Sequence, residues 1–121
     1  MKHLLLTTIA AVVLVGCGPS VDIHQAAYDG DIQAVKQHLV DGTDVNATDD
    51  DGWTPLLLAV EGSHKGIAEL LILKGAKVNA KSKRGNVTPL DWAIHVGQAE
   101  SINLLRKHGG KTGEELKAEE K

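Results

Sequence analysis

The sequence predicts an all-α fold assembled from about three copies of a helix-turn-helix unit, and three observations carry that expectation. Gly42, Gly75 and Gly109 recur at spacings of 33 and 34 residues, each closing a stretch with apolar residues at i, i+3, i+4 and i+7. Thr-Pro-Leu stands at residues 54–56 and again, 34 positions on, at 88–90. Aromatic residues are almost absent, with no Phe, one Tyr and two Trp. The core must therefore come from Leu, Ile, Val and Ala, which suits closely packed helices better than strands rich in aromatic pairs.

The first element is an N-terminal leader. Lys2 and His3 precede an apolar run from Leu4 to Val15, broken by Thr7 and Thr8, the pattern of a secretory signal. As a helix, that run would reach about 18 Å, short of the roughly 30 Å hydrocarbon core. Leu14-Val15-Gly16-Cys17 resembles the lipobox of bacterial lipoproteins. The resemblance implies cleavage before Cys17 and acylation of its thiol, with residues 1–16 as signal peptide and 17–21 as a lipidated tether. An ordinary signal peptide or a retained N-terminal helix is the alternative. Gly18, rather than Asp, follows the cysteine, which by the same resemblance implies the periplasmic face of the outer membrane. Cys17 is the only cysteine, so no disulfide can form within the chain. Loss of residues 1–16 removes Lys2 and no acid, taking the net charge from −3 to −4, which disfavours nucleic acid as a partner.

The helices follow in pairs. Residues 32–42 (IQAVKQHLVDG), 67–75 (IAELLILKG) and 99–109 (AESINLLRKHG) are each an amphipathic helix ending at a glycine. Upstream of the last two, Thr54-Pro55 and Thr88-Pro89 mark shorter helices, with Thr as N-cap and Pro at the first helical position. Ala26, Ala59 and Ala93 recur at 33 and 34, where a small side chain lets neighbouring helices approach. Val45-Asn46-Ala47 and Val78-Asn79-Ala80 lead through polar residues and Gly52 or Gly85 into the next Thr, a turn or hairpin signal.

The phrases TPLLLA, TPLDWA, LLILKGAKVNA and LVDGTDVNA at this period resemble ankyrin repeats. The resemblance covers residues 22–110, divided at about 22–51, 52–84 and 85–110, and implies a solenoid with short hairpin-like fingers. Three departures stand out. The first unit lacks Thr-Pro, Leu57 and Asp91 replace the family's usual His and forfeit its loop-bracing bond, and Asn86 reads as a one-residue insertion in the second finger. Residues 111–121 are expected to form a short capping helix, with Thr112 and Glu115 as a capping box, or else a charged tail.

Sites for chemistry are not apparent. Gly109-Gly110-Lys111-Thr112 lacks the upstream glycine of a phosphate loop, because Leu105 occupies that position. Asp49-Asp50-Asp51-Gly52 lacks two carboxylates of a calcium loop and reads as a solvated finger tip. The five histidines of the mature chain, His24, His38, His64, His95 and His108, have no zinc-ligand spacing, and His64 is expected to brace its turn. No nucleophile, base and oxyanion set is present. The sequence therefore predicts a monomeric, non-enzymatic protein without cofactor or metal.

The expected role is binding an unknown protein. By family resemblance, contacts fall at Tyr28 and Asp29, then Thr48, Asp50, Asp51, Trp53 and Glu61, then Lys81, Lys83, Arg84, Val87 and His95. One finger is thus acidic and the next basic. Trp92 is expected to be largely buried and Trp53 substantially exposed. A lipid-tethered spacer, or a subunit stacked permanently on a larger envelope protein, is the alternative role.

Overall fold

The computed structural model describes residues 21–120. Seven helices occupy them: α1 (Ile23–Asp29), α2 (Ile32–Val40), α3 (Pro55–Glu61), α4 (Lys65–Leu73), α5 (Pro89–Val96), α6 (Ala99–Lys107) and α7 (Gly113–Glu119). Among the described residues there is no strand. The leader and residues 17–20 of the tether, including Cys17, lie outside the described residues.

Each unit is an antiparallel pair. The helices α1, α3 and α5 pack on one another as an inner row, while α2, α4 and α6 form an outer row behind them. Ala26, Ala59 and Ala93 are all fully buried along the inner row, so the expected close approach is realised. Leu56, Val60, Leu71, Leu90 and Leu105 fill the space between the rows.

Local chemistry sets the helix starts. Asp22, Asp31, Thr54, Thr88 and Thr112 each accept a hydrogen bond from the backbone two or three residues into their helix. At α4 and α6 the residues before the helix, His64 and Gln98, make no such cap. Their side chains reach back one unit instead. The His64 Nε2–H donates to the Tyr28 carbonyl at 3.0 Å, and Gln98 donates to the Val60 carbonyl at 2.7 Å. Gly62 is a consequence of that closeness: a Cβ there would lie 2.3 Å from the Tyr28 carbonyl oxygen. The left-handed turn falls on Ser63, at φ 64°.

At the opposite end, asparagines tie each unit to the one after it. Asn46 donates to the Gly75 carbonyl at 3.3 Å and accepts from the Lys77 amide at 2.8 Å. Asn79 repeats the arrangement with Gly109 at 3.2 Å and Lys111 at 2.7 Å. These bonds satisfy backbone groups of the exit turns, which no helix can satisfy.

The fingers are simpler than hairpins. Ser82 N–H to the Val87 carbonyl at 3.0 Å closes the second, and Asp49 N–H to the Trp53 carbonyl at 3.0 Å with Gly52 N–H to the Asp49 carbonyl at 2.9 Å close the first. Asn86 is absorbed at φ 52°, which confirms the irregular second finger.

One expectation requires correction. Leu57 is fully buried and makes no bracing bond, but Asp91 compensates for the missing His. Its Oδ2 accepts from the Thr88 amide at 3.1 Å and from the Gly113 amide at 3.0 Å, linking the starts of α5 and α7. The C-terminal residues form a helix rather than a loose tail, because Thr112 and Glu115 complete the capping box.

Candidate functional site

The inner helices and both fingers share one face, and it carries the side chains with most to offer a ligand. Residues in the first finger meet residues in the second. The Arg84 guanidinium lies 3.7 Å from Asp51, both largely exposed, so the pair contributes little stability but marks where acidic and basic tips adjoin. Gly52, in left-handed backbone at φ 80°, lets Lys83 lie across the first finger; a Cβ there would sit 2.5 Å from Lys83 Cγ.

Behind the tips runs an aromatic row. Trp53 meets Trp92 edge to face, with ring centroids 5.4 Å apart at 82°. The Trp92 ring in turn lies 5.2 Å from the exposed His95 ring. The predicted contrast between the tryptophans does not hold: both are half-buried. The physical reason is finger stacking, which lays Trp53 against α5 and shields each ring with the other. The Trp92 indole N–H is buried without a hydrogen-bond partner.

A second feature opens at the N-terminal end of the face. An open hollow of about 370 Å³ is lined by Asp22, His24, Gln25, Tyr28, Asp49, Leu58 and Glu61. Tyr28 is 45% exposed there. His24 is held by its Nε2–H donating to the Ala47 carbonyl at 2.7 Å, and Asp49 is engaged by the Asp51 and Trp53 amides.

The sequence-predicted residues therefore separate into groups. Asp51, Trp53, Lys83, Arg84 and His95 come together around the fingers and α5. Tyr28 and Glu61 share the hollow. Thr48, Asp50 and Lys81 are exposed on the fingers, and Asp29 is exposed and accepts from Gln25. Val87 is half-buried and donates its amide to the Ser82 hydroxyl, so it shapes the finger. Asp22, Asp49 and Trp92 were missed, and so were the helical residues His24, Gln25 and Leu58. The signal for the helical residues was spacing, since His24 and Tyr28 are i, i+4 and Leu58 and Glu61 are i, i+3.

The electrostatics of the C-terminal cap are distinct. Glu115 is held below the ordinary carboxylate value by the Thr112 amide first and by the Arg106 guanidinium at 2.8 Å next. Lys111 pairs with Glu119 beside it. Among the described residues no three His, Cys, Asp or Glu side chains gather into a group able to hold a metal ion. No helix there is long and apolar enough to cross a membrane.

Comparison with known proteins agrees with this geometry. A family model described as ankyrin repeats in three copies matches residues 23–115. The chain is 32% identical to cyclin-dependent kinase 4 inhibitor B of Bos taurus over 99 residues, covering 82% of this chain and 75% of that protein. It is 34% identical to ankyrin repeat and KH domain-containing protein mask-1 of Caenorhabditis elegans over 84 residues, 69% of this chain and 3% of that protein. Serine/threonine-protein kinase 12 of Arabidopsis thaliana is 35% identical over 85 residues, 70% of this chain and 18% of that protein. In the last two the match is to a segment of a much longer protein.

Proposed function

Because this chain belongs to the ankyrin-repeat family, whose stacked units present one continuous surface, we propose that it is a protein-binding module whose partner seats on the face of α1, α3, α5 and the fingers. The observation that carries the reading is the row Trp53, Trp92 and His95 beside the Asp51–Arg84 pair. Half-buried aromatics supply affinity when a partner desolvates them, and mixed charges at the rim set rate and specificity. The kinase inhibitor it resembles is named for acting on another protein, which supports a protein ligand and a role without catalysis.

On this reading the module is held at a membrane by acylated Cys17, at the periplasmic face of the outer membrane. The support is the charged start, apolar run and lipobox-like Leu14-Val15-Gly16-Cys17.

Crosslinking and capture from cells, with the full chain as bait, test the proposal. Trp53→Ala and Tyr28→Ala are expected to lose the captured protein, whereas Gln33→Arg on the exposed surface of α2 retains it. Capture that survives both face variants and fails with the α2 variant would reverse the assignment of the face.

A further inference from the structure

The exposed aliphatic side chains divide by position. Ile94 and Val96 lie in the last turn of an inner helix, α5, at the end where each unit turns into its outer helix. Val40 and Leu73 terminate the outer helices α2 and α4, at 79% and 70% exposure. They hold equivalent places in successive units, 33 residues apart, so stacking sets them side by side on one edge. The third unit has Lys107 in that place.

That edge lies at the end of the stack where the chain enters the fold. Antiparallel pairing places the start of α1 beside the end of α2, and the His38 Nε2–H fixes the arrangement by donating to the Val21 carbonyl at 2.8 Å. Four peptide steps separate Val21 from Cys17, a covalent reach of at most about 14 Å.

We infer that the edge carrying Val40 and Leu73 rests on the lipid surface to which Cys17 is anchored, so that the tether orients the domain as well as retaining it. This rests on the acylation proposed above. A lipid attached within that reach brings the headgroup layer to the end of the units from which Val40 and Leu73 project. Two aliphatic side chains with the chain's own anchor beside them bury apolar area at an interface without having to localise the protein alone. The charge of the edge is mixed. Lys74, Lys77 and Lys107 are exposed there, where basic side chains are drawn to anionic headgroups. Asp41 and Asp44, exposed at the equivalent places of the first unit, oppose them, so the aliphatic residues make the contact and the charges only adjust it. Ile94, at the other end of the units, stays in water.

The experiment uses the full acylated chain in phosphatidylglycerol-containing vesicles, with nitroxide labels introduced singly as Val40→Cys, Leu73→Cys and Ile94→Cys. Acylation consumes the Cys17 thiol, so each label is unique. The expected result is a rise in the ratio of oxygen to nickel-chelate accessibility at positions 40 and 73 on vesicle binding, with no change at 94. Equal water exposure at all three positions, in a chain whose Cys17 lipid is confirmed by mass, overturns the inference and leaves the anchor standing. A rise at 94 in place of 40 and 73 overturns it too. A free Cys17 thiol and release from the vesicles overturn the anchor and the inference together.

Discussion

Trp53 and Trp92, 39 positions apart in the chain, shield one another edge to face at 5.4 Å. The relationship couples finger and inner helix, so the two residues share one energy. Trp53→Ala and Trp92→Ala are each expected to destabilise by about 1–3 kcal/mol, below the range for fully buried Trp because both rings keep a wet edge. The double variant should fall short of additivity by about 0.5–1.5 kcal/mol. Trp92→Phe should cost less than Trp92→Ala, since the indole N–H has no partner to lose. Urea melts of the four variants check this; strict additivity would mean the rings do not stabilise one another.

Asn79 serves two backbone groups of the next exit turn. Asn79→Ala leaves both to find water, and about 1–2 kcal/mol is expected to be lost. Amide exchange should localise the effect, with Lys111 losing protection while Leu57 and Leu71 keep theirs.

Glu115 predicts a response to acid. Its folded-state value lies below the ordinary 4.5, so its contribution is fully present above that pH. It is lost as pH falls through the lowered value. The C-terminal helix should therefore fray below about pH 4.5 before the stack unfolds. Carbon chemical shifts across residues 113–119 report it, and Glu115→Gln should reproduce the fraying at neutral pH.

Once a partner is in hand, Trp53→Ala should weaken its binding by about 2 kcal/mol, mostly through faster dissociation. Reversing Lys83 and Arg84 to Glu should slow association, by a factor that shrinks as salt is added. Surface plasmon resonance at two ionic strengths separates the two effects.

The mature protein should begin at an acylated Cys17. Mass spectrometry of the membrane fraction should show the mass of residues 17–121 plus lipid, and Cys17→Ser should move the chain out of that fraction. A chain that keeps Met1 would refute the leader.

The repeats were legible because their signals are local: a Thr cap with Pro after it, an alanine one turn on, a glycine at the exit. Each acts within one unit, so the period survives in the letters. The site was less legible because it depends on how units lie against each other. Trp53 reads as exposed beside Thr54, and only the stacking of fingers on α5 reveals Trp92 beside it. Asp91 reads as a missing histidine until the Gly113 amide arrives from 22 positions on. The hollow escaped for the same reason, since His24 and Asp49 belong to different elements of one unit and Leu58 to the next.

The middle unit carries both halves of the clamp between neighbours. His64 reaches to the turn before it and Asn79 to the turn after it, and no bond of either kind skips a unit. A molecule joined this way can grow. Copying residues 54–87 in tandem would bring a new histidine, a new asparagine and a new finger, each facing surroundings like those of the original. Its surface would lengthen by one module while the first unit and the last stayed unchanged, so gene duplication offers this fold a route to a longer surface that leaves the outer units as they are.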